Sequence, residues 1–184
     1  MSNSKQWLTE HFSDEYVLRA QKEGYPSSAA YKLLEIQSKE RLIRPGMLVI
    51  DLGAAPGGWC AVVSDLLKSK GCVIGIDLLP IATKPQVLTL QGDFNEDAVF
   101  SRLKALVEKN AKRGRADLIL SDMAPNFSGQ SSVDQPRVMH LLSLALDCAQ
   151  ELLKPGGNFL VKSFQGAGFD TFIRELRTAF KVVK

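Results

Sequence analysis

The segment Asp51-Leu52-Gly53-Ala54-Ala55-Pro56-Gly57-Gly58-Trp59 restricts what this chain can fold into more than any other stretch. A short apolar run, Met47 to Leu52, leads into it, and the apolar-faced stretch Trp59 to Leu67 leads out. A strand, a turn of small residues and a helix in that order open a parallel β-α-β layout. Glycine in such a turn admits positive φ and lets a ligand approach the backbone closely. The alternation continues downstream. Further strands are predicted at Cys72–Asp77, Val87–Gln91, Asp117–Ser121 and Asn158–Lys162, and helices at Glu96–Lys109, Gln135–Leu153 and Phe169–Phe180. Short loops between them predict an α/β fold, Rossmann-like, with a doubly wound, mostly parallel sheet covered on both faces.

Ahead of Met47 the chain reads as helical. Ser13 is placed to cap a helix through about Glu23, which Gly24-Tyr25-Pro26 ends. Ser27 or Ser28 is placed to cap a second helix carrying Tyr31, Leu33, Leu34 and Ile36. One domain over 1–184 is expected, with a helical segment at 1–46 and the core at 47–184. The Lys154-Pro155-Gly156-Gly157 run is expected to stop the long helix, and Lys181 to Lys184 reads as the start of a strand.

Composition narrows the setting. Hydrophobic residues at 45% and charged ones at 23% fit a globular protein with a real core. A formal charge of +3 is compatible with a nucleic-acid partner without requiring one. Cys60, Cys72 and Cys148 have neither paired nor metal-ligand spacing, so no disulfide framework and no metal site is expected. With no apolar run near the roughly 18 residues that span a bilayer, and no signal-peptide pattern, a cytoplasmic monomer is the expectation.

The turn also constrains the ligand. Ligands of open α/β sheets bind beyond the carboxyl ends of the strands. A dinucleotide site would carry GxGxxG with pyrophosphate over the helix N-terminus, whereas here Gly53 is followed by AAP before Gly57-Gly58. A ligand without phosphates is favoured. Asp77, ending the second predicted strand, suits the two hydroxyls of an adenosine ribose. Asp93, after the third, suits the adenine amino group, and Asp51 the amino-acid end of the ligand. Each aspartate alone is equally well a loop acid or a helix cap; three at successive strand ends favour the ligand.

The motifs DLGAAPGGW, DLLP, QGDF, SDMAPN, VDQPR, LKPGG and VKSFQG occur in this order. Together with EHFSDEYVLRAQKEG near the N-terminus, they closely resemble the FtsJ/RrmJ family of ribose 2′-O-methyltransferases of large-subunit ribosomal RNA. The resemblance runs from about Trp7 to Lys184. It implies S-adenosylmethionine as cofactor, held by Gly57, Trp59, Asp77, Asp93 and Asp122, to which the reading of the turn adds Gly53 and Asp51. It also implies a catalytic tetrad in which Lys32, Asp122 and Lys162 supply three members. The fourth, a glutamate on a last strand, falls after Lys184, so the C-terminal part of the sheet is expected to be missing. The implied substrate is a 2′-hydroxyl of 23S ribosomal RNA, a uridine of the large subunit.

Those residues make chemical sense unaided. A ribose hydroxyl is a weak acid, and a neutral lysine can take its proton. Neighbouring lysines and a sulfonium would favour that neutral form by like-charge repulsion. A lysine ending a central strand, as Lys162 is expected to do, points into the crevice. Lys32 taken alone reads more readily as a solvated helix residue, and Trp59 as core or as cofactor contact. Where the bacterial branch carries arginines before Lys32, this chain has Tyr25-Pro26-Ser27-Ser28. Basic residues gather instead at Arg102, Lys104, Lys109, Lys112, Arg113 and Arg115, as an RNA contact or a solvated face. A transfer-RNA or messenger-cap ribose methyltransferase, a cofactor-binding assembly protein without turnover, and, more distantly, a nicotinamide dehydrogenase complete the alternatives.

Overall fold

A computed structural model describes residues 19, 20 and 22–184, so most of the helix predicted from Ser13 lies outside the described residues. Residues 19, 20, 22 and 23 are helical. The described elements run α1 (Ala29–Glu40), β1 (Leu48–Leu52), α2 (Gly58–Leu67), β2 (Cys72–Asp77), β3 (Leu88–Gln91) and α3 (Asp97–Asn110). They continue with β4 (Ala116–Ser121), α4 (Ser131–Leu152), β5 (Leu153–Val161) and α5 (Phe169–Ala179). The five strands form one parallel sheet in the order β3-β2-β1-β4-β5.

Strand alternation divides the core between the two faces. Leu48, Ile50 and Leu52 pack with Ile74, Ile76 and Ile119 against α3 and α4. Val49, Val73, Leu118 and Leu120 pack against α1 and α2 on the other face. All five residues of β1 are buried because helices cover it on both sides. In α3 the apolar stripe is Val99, Leu103 and Val107, four residues apart, each worth about 1.5–3 kcal/mol when fully buried. Asp51 shares the face of Val49, which turns its carboxyl toward α2.

Three elements depart from expectation. Helix α4 starts at Ser131, four residues ahead of the predicted Gln135, with Pro136 inside it. Proline costs the helix one hydrogen bond near its start. Beside it, the Asp134 carboxylate gathers the preceding loop. It accepts the Ser128 N–H at 2.8 Å, the Ser128 hydroxyl at 2.8 Å and the Gly129 N–H at 3.0 Å. Strand β5 follows α4 directly, and Lys154 to Gly157 loop out of it between the Ala116–Leu153 and Leu118–Asn158 pairs. Lys154 Nζ anchors that bulge on Asp117 at 2.6 Å. Residues 181–184 form no strand; Lys184 pairs instead with Glu40 of α1.

No described helix is long and apolar enough to cross a membrane.

Candidate active site

Strand order reverses between β1 and β4, so the crevice opens beyond their carboxyl ends. Concavity alone would point elsewhere. A cleft of about 620 Å³, lined by Pro45, Lys70, Lys112 and Asp117 among others, opens at the amino ends of β1, β2 and β4. The chemistry-bearing side chains lie at the opposite end.

The turn after β1 is bound tightly to its neighbours. Gly53 N–H and Ala54 N–H both donate to the Ile76 carbonyl, at 2.9 and 3.1 Å, and Ala55 N–H donates to Asp77 Oδ2 at 2.9 Å. Gly57 has φ +116°, and a Cβ there would lie 2.2 Å from the Ala82 carbonyl oxygen. A Cβ on Gly53 (φ +74°) would lie 2.6 Å from Met123 Cγ, because Met123 covers that glycine. Only glycine fits either position. Met123 follows Asp122, so the turn after β1 and the loop after β4 are in direct contact.

Each predicted acid occupies a distinct setting. Asp51 is 1% exposed; its Oδ2 accepts the Cys60 thiol at 3.2 Å and its buried Oδ1 has no hydrogen-bond partner. Burial above all, then the charges of Asp122 and Asp77, push its carboxyl up to about 7, against the lowering effect of the Cys60 bond. The same burial and the Asp51 charge push the Cys60 thiol well up. Asp77 spends one lone pair of each oxygen on backbone, Oδ2 on Ala55 and Oδ1 on the Leu79 N–H at 2.9 Å. Asp93 Oδ1 accepts the Asn95 N–H at 2.9 Å. Asp77 thus braces the turn after β1 as well as its own loop, and Asp93 its own loop, both at the carboxyl end of the sheet.

The parallel register brings the two reacting candidates together. Ser121 of β4 pairs with Val161 of β5, and Lys162 N–H continues the ladder to the Ser121 carbonyl at 2.8 Å. Asp122 and Lys162 therefore emerge side by side, and their side chains form an ion pair. Lys162 remains 32% exposed, open to an incoming molecule. In the described sheet it follows the edge strand β5 rather than the central one expected. Its place in the crevice comes from the pairing with β4.

Lys32 is exposed on α1 and forms no ion pair among the described residues. The Trp59 ring is 6% exposed within the core shared by α1 and α2, and its indole N–H donates to the Ala29 carbonyl at 2.8 Å. The indole thereby ties down the start of the helix that carries Lys32. Ser27 lies so close to α2 that a Cβ on Gly58 would come 2.3 Å from its hydroxyl oxygen.

The basic run is also displaced from the crevice. α3 leads back to the amino ends, so Lys109, Lys112, Arg113 and Arg115 lie on the far side of the sheet. Lys104 pairs with Glu151, and Arg115 donates to the Glu151 carbonyl at 2.6 Å. Three contributors were not singled out from sequence: Cys60 beneath Asp51, Met123 over Gly53, and Asp134 as anchor of the loop after β4. Asp134 and Met123 left a trace, inside the VDQPR and SDMAPN motifs; what each of the three touches is set by the fold.

Glycine-lined close approach, no phosphate cradle, and a buried carboxylate with a free oxygen fit a cofactor that carries an adenosine and a cationic amino-acid end. This crevice at the switch point of a parallel α/β sheet is that of an S-adenosylmethionine-dependent methyltransferase. The chain belongs to the FtsJ-like methyltransferase family, whose model matches residues 25–184. It is 59% identical over 184 residues to ribosomal RNA large subunit methyltransferase E of Coxiella burnetii, covering 100% of this chain and 87% of that one. The protein of the same name from Alkalilimnicola ehrlichii is 55% identical over 181 residues, covering 98% and 84%. Among solved structures, a Plasmodium falciparum chain described as a ribosomal RNA methyltransferase matches with a TM-score of 0.77 at 28% identity, over 87% of this chain and 90% of that one.

Proposed function

We propose that this protein methylates a ribose 2′-hydroxyl in 23S ribosomal RNA, a uridine of the large subunit, with Lys162 as the base. The observation that carries this is the Lys162–Asp122 pair at the mouth of the crevice, adjoining the glycine turn through Met123. The names of the relatives from Coxiella burnetii and Alkalilimnicola ehrlichii supply the substrate class. The setting inferred is that of a cytoplasmic monomer with one catalytic domain.

S-adenosylmethionine supplies an electrophilic methyl group when bound, so the protein has mainly to bind, orient and remove a proton. Gly53 and Gly57 let the backbone approach the cofactor. Asp77 would hold its ribose hydroxyls, Asp93 its adenine amino group, and Asp51 its ammonium end. Trp59 fixes the start of α1. On the substrate side, Asp122 holds the Lys162 side chain in place. The Lys162 amine would accept the 2′-hydroxyl proton, and Lys32, on the adjoining helix, would supply positive charge toward the RNA.

The test is methyl transfer to large ribosomal subunits that lack the modification, with label located by nuclease digestion. Ribose-localised label is expected from the protein. Lys162→Ala is expected to lose roughly 10²–10⁴-fold in rate while cofactor affinity survives. Turnover retained in that variant would remove Lys162 from the role of base. RNA binding without any transfer would favour an assembly role instead.

A further inference from the structure

We propose that Phe127, propped edge to face by Phe164, forms the stacking platform for the base of the target nucleotide, an inference that rests on reading the crevice as a ribose methyltransferase site. Phe127 is 53% exposed in the loop after β4. A lone exposed apolar residue is ordinary, but this one is held on both sides. The Asn126 carbonyl accepts from Arg137 at 3.4 Å, and the N–H groups of Ser128 and Gly129 are bound by Asp134. The Phe127 ring meets Phe164 edge to face, with centroids 5.2 Å apart and planes at 77°. Phe164, half-buried against the cluster of α4 and α5, presents its ring 5.5 Å from Lys162 Nζ. A continuous line of contacts thus leads from a solvent-facing ring to the group that meets the ribose.

Single-stranded or extruded RNA bases are recognised chiefly by stacking on aromatic side chains. A nucleotide whose base rests on Phe127 and whose ribose reaches Lys162 spans this line. The adenine of the cofactor is an unsuitable occupant, because Asp77 and Asp93 lie on the β2 and β3 side of the switch point. Arg137, exposed beside Asn126, is available to a phosphate of the same nucleotide.

Phe127→Ala should raise KM for unmodified large subunits about tenfold, with kcat and cofactor affinity little changed, and Phe127→Tyr should restore KM. An unchanged KM in Phe127→Ala, or a matching loss of cofactor affinity, would overturn the platform. A second measurement does not depend on turnover. Phe127→Trp adds an exposed indole to the background from Trp7 and Trp59, and its extra fluorescence should be quenched by large-subunit ribosomal RNA. Quenching without methyl transfer by the native protein would retain the platform and reject the enzymatic reading. Absence of quenching in a variant that still turns over would reject the platform alone, and absence of both would reject both.

Discussion

Replacing Asp51 with asparagine should stabilise the protein in neutral and alkaline buffer and do progressively less as the pH falls. Burial holds this carboxyl at about 7 in the fold against an ordinary 3.8. An unfolded chain releases the proton near pH 4, so between about pH 4 and pH 7 the folded state keeps a proton that the unfolded state has lost. Stability therefore falls as pH rises through that window and levels off above it. At 1.36 kcal/mol for each pH unit, the cost of Asp51 reaches roughly 4 kcal/mol at its ceiling. Asparagine keeps the shape and an oxygen for the Cys60 thiol, and it cannot ionise. Urea unfolding followed by circular dichroism at pH 5, 6, 7 and 8 would measure both proteins. The gap in favour of D51N should widen by roughly 3 kcal/mol between pH 5 and pH 8. Carboxylates held down by partners, such as Asp134 by the Ser128 and Gly129 N–H groups, pull the other way but are common to both proteins. Parallel stability curves, or a gap that narrows with pH, would refute the assignment of a costly buried charge to Asp51.

Two further substitutions probe the cofactor side and the helix that borders it. Asp77→Ala deprives the Ala55 and Leu79 N–H groups of their acceptor as well as the cofactor of its ribose partner. S-adenosylmethionine affinity by calorimetry should drop tenfold or more, and an unaltered Kd would sink the ribose assignment. Trp59→Phe removes the bond to Ala29 and should cost about 1 kcal/mol in thermal or urea unfolding. It should also lower kcat with cofactor Kd preserved; an unchanged kcat would show that the placement of α1 does not matter to turnover.

Much of the fold was legible because its signals are local. The Cys72–Asp77 strand was placed to the residue, and the glycine turn marked the carboxyl end of β1. What escaped depends on partners far along the chain. The bond of Trp59 to the Ala29 carbonyl, thirty residues earlier, leaves no mark in the sequence. The long helix was expected only from Gln135, and the bonds of Asp134 to the loop ahead of it leave no mark in the pattern. The candidate pair Asp122 and Lys162 could be named from motifs, but their meeting follows from the β4–β5 register. Phe127 and Phe164 carried no signal as a pair, since only the fold sets two rings in separate loops face to edge.

The seating of Met123 on Gly53 joins two loops that belong to different halves of the sheet. Neither loop can be redesigned as an independent cassette. Lengthening the turn after β1, or exchanging the segment after β4 for that of another enzyme, would dislodge a side chain on which both depend. Swapping specificity in a scaffold of this type therefore calls for transplanting both loops together, with their methionine and glycine kept as one unit.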